Sequence, residues 1–201
     1  TSGTLTIAKA SQTISFANPG NKTFGDASFA LSASSSSGLP VAFALVGGPA
    51  TLAGNTVSLT GAGVVTIRAT QAGNANVLPA AGVERTFTVA AASATITLSG
   101  LSTTYDGTPR SVSATTVPQG LPVSISYGGS PTPPTNAGSY QVAATIESSD
   151  YTGSVSGTLV VAKATQAITF PTPPARTFGD APFSPSASAS SGLAVGFAVI
   201  D

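Results

Sequence analysis

Apolar and polar residues alternate in short runs along most of the chain. Val41, Phe43 and Leu45 are separated by single alanines. A later run has two faces, with Val83, Arg85, Phe87 and Val89 on one and Glu84, Thr86 and Thr88 on the other. A period of two is typical of half-buried β-strands. Since no stretch shows the three- to four-residue spacing of an amphipathic helix, the sequence predicts an all-β protein.

Turn-forming residues separate these runs and outline a first module over residues 10–91. Ile14 and Phe16 begin it, and an Asn-Pro-Gly-Asn turn follows at residues 18–21. Two further predicted strands, with Val57 and Val65 at inward positions, flank the turn at residues 61–63. Strands spaced about 8–12 residues apart predict an antiparallel β-sandwich. We expect its core to contain Phe16, Phe24, Phe29, Val41, Phe43 and Ile67.

The beginning of this module occurs a second time. Residues 2–47 and 156–201 agree at about 27 of 46 positions without a gap, at a period of about 154 residues, as expected of a tandem array. Residues 164–201 therefore read as the first half of a repeated module, with a strand at Val195 and Phe197. The partial counterparts of the first-module core are Phe170, Phe178, Phe183 and Phe197.

A second module is predicted over residues 92–163. Gly120–Val123 repeats the Gly-Leu-Pro-Val of residues 38–41, and Ala137-Gly138 repeats Ala62-Gly63, in each case at the start of a predicted strand. Residues 156–163 close this module. Their copy, residues 1–9, with Leu5 and Ile7 on one face, is therefore expected to be the closing strand of a preceding module. The chain as a whole reads as tandem antiparallel β-sandwich modules in a linear array.

Composition narrows the classes of function. Seven basic and seven acidic side chains cancel and do not cluster, which argues against nucleic-acid partners and a polybasic membrane patch. No apolar run approaches the ~20 residues that cross a bilayer, so we expect no membrane insertion in this piece. The absence of Met suggests an internal piece of a larger protein, and the absence of Cys leaves the redox compartment open.

Candidate chemistry is sparse, and we expect no enzyme, no cofactor and no metal site. Without His or Cys, neither a Ser-His triad nor a Cys nucleophile nor a zinc site with His or Cys ligands can be built from these residues. Asp26, Asp106 and Asp180 each adjoin a Gly and are interpreted as turn residues. Calcium at the module junctions is an alternative, but no Asp-x-Asp spacing supports it. Lys9 and Lys163 close modules and raise the alternative of an isopeptide crosslink, against a solvated linker lysine.

The tyrosines are all in the second module, at positions 105, 127, 140 and 151. Core or corner positions are the simplest interpretation, with sugar stacking as the alternative. A stiff loop is predicted at Pro131 to Pro134, just before Ala137. Paired threonines such as Thr95 and Thr97 fit an exposed strand face.

Three stretches of the second module resemble the MBG-type bacterial repeat: Tyr105-Asp106-Gly107-Thr108, Pro133 to Tyr140, and Asp150 to Gly153 followed by Gly157-Thr158-Leu159 and Lys163-Ala164. The first module resembles the Ig-like repeat that often alternates with it, through Gln12 to Phe16, Phe24-Gly25-Asp26, Ser37 to Val41 and Gln71 to Asn74. The resemblance implies Ig-like sandwiches in large bacterial surface proteins and adhesins, where they serve as stalk or spacer. It brings no catalytic residues.

These observations together predict a noncatalytic spacer in an extracellular bacterial surface protein, either an adhesin or a filament. The alternative is a module that binds a glycan or a host surface through the tyrosines and proline loop of residues 92–163. Expected partners are neighbouring repeats of the same chain, or identical subunits joined by strand complementation. A glycan or cell surface would be engaged by other domains. Residues 164–201 should not fold alone, because a half-sandwich leaves its apolar face open.

Overall fold

The computed structural model describes residues 3–200, and all regular secondary structure within them is β-strand. The expectation of an all-β protein is confirmed. Residues 10–91 contain nine strands: β1 (Ile14–Phe16), β2 (Lys22–Thr23), β3 (Phe29–Ala30), β4 (Ala33–Ser35), β5 (Ala42–Gly47), β6 (Ala50–Ala53), β7 (Thr56–Leu59), β8 (Gly63–Thr70) and β9 (Val83–Ala90).

The strands of this first module form three sheets around one core. Four strands pair in the order β2-β9-β8-β5, three in the order β3-β7-β6, and β1 pairs with β4. All pairings are antiparallel except that of β2 with β9, where Lys22 lies opposite Val89. A single cluster of buried side chains draws on all three sheets, as the facing layers of a β-sandwich do.

The predicted core of the first module is confirmed only in part. Phe16 and Ile67 are buried, whereas Phe24, Phe29, Val41 and Phe43 are partly buried and pack against the cluster. Phe43 alternates correctly with its exposed neighbours, but β5 is an edge strand of the four-stranded sheet and one side of it stays open. The centre of the core is instead formed by the interior strands β7, β8 and β9, through Val57, Val65, Ile67, Ala69, Phe87 and Val89.

Residues 92–162 contain eight strands with a separate core. They are β10 (Ala92–Ser93), β11 (Thr95–Ser99), β12 (Ser102–Thr104), β13 (Ser113–Val117), β14 (Val123–Tyr127), β15 (Gly138–Ile146), β16 (Tyr151–Thr152) and β17 (Ser154–Ala162). One sheet has the order β12-β17-β15-β14, β11 pairs with β13, and β10 runs parallel to β16. The predicted strand starts at Val123 and Gly138 are confirmed.

Two neighbouring apolar clusters fill this second module. Leu159 and Val161 from β17 and Val142 from β15 pack with Tyr127 and Val112 in one of them. Ala94, Ile96, Ala144 and Ile146 form the other, and Leu98 and Ile125 contact both clusters. The phenol of Tyr127 accepts a hydrogen bond of 2.8 Å from the buried backbone N–H of Val112, so this tyrosine satisfies a polar group within the core.

The expected closing strand at the start of the chain is absent from residues 3–9. Leu5 and Ile7 are 85% and 84% exposed, whereas Leu159 and Val161, at the matching positions of β17, are almost completely buried. Residues 1 and 2, which belong to the same prediction, lie outside the described residues. The difference has a simple cause: β17 pairs with β15 and β12, and residues 3–9 have no such partners in the part of the chain that the structure describes.

Residues 164–200 retain only β18 (Ile168–Thr169) and β19 (Ser188–Ala189). The predicted strand at Val195 and Phe197 does not form, and Phe170, Phe178, Phe183 and Phe197 are exposed rather than buried. In the first module, the matching strand β5 is held by eight-residue β8. An alternating sequence is therefore not sufficient for a strand here, because the backbone groups need a partner.

Phe16 and Phe43 contact each other but should differ in their contribution to stability. The rings of Phe16 and Phe43 lie 5.4 Å apart, but only Phe16 is buried. We expect Phe16→Ala to cost about 3–5 kcal/mol and Phe43→Ala clearly less. Urea denaturation followed by amide NMR measures both. Because all four tyrosines belong to the second module, tyrosine fluorescence follows the unfolding of that module separately, and either substitution should shift it less than the transition of the first module.

Removal of a single tyrosine hydroxyl should destabilise the protein more at a buried hydrogen bond than at an exposed one. Tyr127→Phe leaves the buried N–H of Val112 without its acceptor and should cost about 1–3 kcal/mol. Tyr140→Phe is the matched control, because the Tyr140 phenol donates to the carbonyl of Asn136 at an exposed site. Its effect on the free energy of unfolding should stay below about 1 kcal/mol. Equal effects would contradict the structural role assigned to Tyr127.

Candidate functional site at the module junctions

A single residue, Ala91, links the last strand of the first module to the first strand of the second. The backbone is fixed on both sides of it. The N–H of Phe24 donates to the carbonyl of Ala90 over 2.8 Å, and the N–H of Ala92 donates to the carbonyl of Asp150 over 2.9 Å. Each module therefore holds its own end of the link, and little free chain remains between them.

The carboxylate of Asp150 reaches across the junction. Its Oδ1 accepts a hydrogen bond of 2.7 Å from the backbone N–H of Ala62, which lies in the turn before β8. The loop that carries Asp150 is held by the hydroxyl of Ser148, which accepts from the N–H groups of Asp150 and Tyr151. A charged acceptor on a backbone donor makes a stronger hydrogen bond than two neutral groups do.

Gly61 allows this close approach. It is buried, and a Cβ placed on it would lie 2.9 Å from Asp150 Oδ1 and 3.3 Å from the side chain of Pro49. Any larger residue would displace the carboxylate or the loop that carries it. The reason for glycine at this position is therefore space at the junction, and not the sign of its φ angle.

An aromatic contact forms the second point of attachment between the modules. Phe24 and Tyr151 meet edge to face, with ring centres 5.5 Å apart and planes at 81°. This is a favoured arrangement for aromatic pairs and contributes about 0.5–1.5 kcal/mol beyond the area that it buries. Sequence reasoning missed this pair and the Asp150–Ala62 bond, since the latter joins residues 88 positions apart and nothing local marks either pairing.

At the other end of the second module, a cleft of about 680 Å³ lies between this module and residues 163–193. It is lined by Tyr105, Asp106 and Ala137 and, from the repeated segment, by Lys163 to Gln166, Ser190, Ser191 and Leu193. In the first module, two of the matching residues form hydrogen bonds to the loop of residues 71–78. There Lys9 Nζ donates to the carbonyl of Asn74, and Gln12 Nε2 donates to Gln71 Oε1 and to the carbonyl of Leu78.

The aspartates predicted to serve in turns do so. The carboxylates of Asp26 and Asp180 each accept a hydrogen bond of 2.9 Å from the backbone N–H three residues earlier. Asp106 accepts from both the hydroxyl and the N–H of Thr108 and pairs with Arg110 at 2.5 Å. Thr108, with a smaller contribution from Arg110, lowers the pKa of Asp106 below 3.8. The stabilisation of this turn is therefore complete above the ordinary pKa and is lost as the pH falls through the lowered value.

The structure does not bring together the residues of the calcium and crosslink alternatives considered from the sequence. Within residues 3–200, no group of three or more His, Cys, Asp or Glu side chains is placed to hold a metal ion. The ammonium of Lys9 is exposed and contacts a backbone carbonyl, as a solvated linker lysine does. No helix among the described residues has the length and apolar character needed to cross a membrane.

The four tyrosines do not form a common surface. Tyr127 is buried, Tyr151 packs in the first junction and Tyr140 donates to the carbonyl of Asn136. Tyr105, at the cleft beside residues 163–193, is the most exposed of the four. The proline loop is held by two hydrogen bonds: the N–H of Arg110 donates to the carbonyl of Pro134 over 2.8 Å, and the N–H of Thr132 donates to the hydroxyl of Ser130 over 3.2 Å.

One model of a known family matches most of the second module. The family model of the MBG domain matches residues 94–165, which include most of the strands of this module and its two apolar clusters. No curated protein matches the chain. Residues 94–165 of the chain are therefore similar to the MBG domain.

Proposed function

We propose that this chain is a structural spacer, a stalk segment of tandem Ig-like sandwiches in a large extracellular protein of a bacterial surface, such as an adhesin or filament. The junction between residues 10–91 and 92–163 carries this proposal. A one-residue link, a charged hydrogen bond and an aromatic contact hold neighbouring modules in one orientation. A spacer needs this property, since modules on loose linkers fold back and lose reach.

The material of the chain also suits a spacer. Within residues 3–200 the described charges are scattered, and the sequence as a whole carries no net charge, no Cys and no His. Such a chain has no His or Cys to serve in catalysis and no cluster of basic side chains, and the cores of its two modules are apolar. The family match over residues 94–165 supports a repeat in a surface protein.

The repeat supports an alternation of two module types. The first module and the MBG domain share the Gly-Leu-Pro-Val stretch before a strand and the Ala-Gly before the long strands β8 and β15. The start of the first module then returns after the MBG domain, at Lys163. We therefore interpret the chain as a window on an alternating array in which each module's partners are its neighbours.

Glycan or host-surface binding through the tyrosines is the weaker alternative. Stacking on a sugar needs exposed aromatic faces next to one another, but Tyr127 is in the core and Tyr151 is engaged with Phe24. Loss of binding after Tyr127→Ala would also report loss of folding, since that phenol satisfies Val112. A glycan array with Tyr105→Ala is the cleaner test, and the spacer proposal expects no saturable binding by the parent chain.

The orientation of the modules tests the proposal directly. In the unsubstituted 201-residue chain, residual dipolar couplings from residues 10–91 and 92–163 should fit one alignment tensor, as expected of modules that move together. Asp150→Ala removes the acceptor of the Ala62 N–H, and we expect two tensors of different magnitude. A hydrogen bond to a charged group contributes about 1.5–3 kcal/mol, and at this half-buried site we expect a coupling free energy near the lower end.

Two further variants control this experiment. Asp150→Asn retains an oxygen acceptor at the same position and should keep a single alignment tensor. Gly61→Ala keeps the Asp150 side chain in the sequence but puts a methyl carbon 2.9 Å from its carboxylate oxygen. Because the carboxylate must then move, this variant should act like Asp150→Ala. If the parent protein itself shows two independent tensors, its modules swing freely and the rigid spacer is wrong.

A further inference from the structure

One tetrapeptide occurs twice in the chain outside the register of the repeat. The sequence Pro-Thr-Pro-Pro stands at residues 131–134 and again at residues 171–174. The two copies lie 40 positions apart, so the period of about 154 residues does not relate them. Together they contain six of the 15 prolines of the chain. A recurrence that the repeat does not explain needs a cause of its own.

The fold does not require this tetrapeptide. Both copies lie outside the strands, residues 131–134 between β14 and β15 and residues 171–174 between β18 and β19. Residues 17–20 follow β1 as residues 171–174 follow β18, and there the sequence is Ala-Asn-Pro-Gly. Because the first module builds the same connection with other residues, the recurrence points to recognition of the tetrapeptide itself.

The threonine of each copy is exposed. Thr132 and Thr172 are both open to solvent, and so is Asn18, the residue of the first module that matches Thr172. Since Asn18 is exposed in a complete module, the exposure of Thr172 does not depend on a missing covering segment. Pro133 and Pro134 are half-buried, so in that copy the module covers part of the proline surface and leaves the threonine accessible.

The prolines restrict the backbone around each threonine. A proline ring holds its own φ at ~−65° and keeps the preceding residue out of the helical region. Thr132 and Thr172 each lie between two prolines, and neither belongs to a strand. In the first copy the N–H of Arg110 also holds the carbonyl of Pro134. A segment restricted in this way loses little conformational entropy when an enzyme binds it.

The threonine hydroxyl is the only nucleophile of the tetrapeptide, and its surroundings suit a neutral group. A phosphate on Thr132 would bring a charge of about −1.5 to −2 and would need a cation as its partner. Arg110 is bonded to Pro134 through its backbone, but its guanidinium is already engaged by Asp106 and by the carbonyl of Thr104. A neutral sugar needs no such partner.

Sugars also suit the surface of this chain. Charged residues make up only 7% of the sequence, against about 25% in ordinary soluble proteins. Little of the hydration of the surface therefore comes from charge, and neutral sugars on exposed hydroxyls would add to it. Segments that combine threonine or serine with proline are typical of O-glycosylated stalks.

We propose that Thr132 and Thr172 are acceptor sites for O-linked sugars. The threonine Oγ1 attacks the anomeric carbon of a nucleotide-activated sugar, the bond from that carbon to the nucleotide diphosphate breaks, and the hydroxyl proton passes to a base of the glycosyltransferase. The attached group is bulky and solubilising, so it limits contact between neighbouring chains. The choice of a sugar as the attached group rests on the proposed extracellular function.

Tryptic peptide mapping of the protein purified from the cells that produce it tests this proposal. Trypsin places Thr132 in residues 111–163 and Thr172 in residues 164–176. Residues 10–22 are the matched control peptide, because they occupy the same place in the repeat and carry hydroxyl side chains without the tetrapeptide. We expect sugar on the first two peptides, localised to the two threonines by electron-transfer fragmentation, and none on the control.

Three other results would overturn the proposal. Sugar on the control peptide as well would show general modification of serine and threonine. Phosphate on the two hydroxyls would make them kinase sites. Unmodified threonines at both positions would leave the prolines as the recognised feature, as in ligands of aromatic-lined grooves. None of these results changes the alignment of the modules, so they are distinct from a failure of the rigid spacer.

Two variants produced in the same cells test the role of the prolines. Pro173→Ala keeps Thr172 but removes the proline that restricts it, and should lower the sugar occupancy of Thr172 at least about tenfold. Pro182→Ala lies outside the tetrapeptide and should leave the occupancy unchanged. Both prolines are exposed and outside the strands, so the two complete modules should stay folded in either variant. Equal occupancy in the two variants would contradict recognition of the tetrapeptide.

Discussion

Pairing between strands that are far apart along the chain is the constraint on which this structure depends. The repeat makes this visible, because nearly the same sequence occurs with its partners and without them. With partners, Phe29–Ala30 and Ala42–Gly47 are strands; the matching residues 183–184 and 196–200 are not. Local bonds, such as those of the Asp26 and Asp180 turns, survive in both copies. The turns are a property of the local sequence, and the strands are a property of the complete module.

The short junction between the modules also depends on strand pairing. Each module ends in a strand whose backbone is already paired, so a link of one residue is enough to pass the chain on. Two contacts then orient the modules: the hydrogen bond from the Ala62 N–H to Asp150, and the packing of Tyr151 on Phe24. The first of them needs the space left by the missing side chain at Gly61. A junction built this way adds order between modules without adding a large interface.

Sequence reasoning predicted the features that local patterns encode. The two faces of Val83–Ala90, the strand starts at Gly63 and Gly138, and the turn aspartates all follow from alternation and turn chemistry. It failed where the outcome depends on distant residues. Residues 3–9 alternate as a strand should and are not one, and Phe43 has the right phase but lies on an edge strand. The Asp150–Ala62 bond joins residues 88 positions apart, and no single-sequence signal marks such a pair.

The direction of the terminal strands has a mechanical consequence. In the second module β10 runs parallel to β16 and β12 runs parallel to β17, and in the first module β2 runs parallel to β9. Tension applied at the two ends of a module pulls the members of such a pair in opposite directions along their length. Their hydrogen bonds are then loaded together in shear, whereas a hairpin pulled open at its ends would lose its bonds one after another. The parallel pairs are therefore placed to resist tension better than hairpins with the same few hydrogen bonds would.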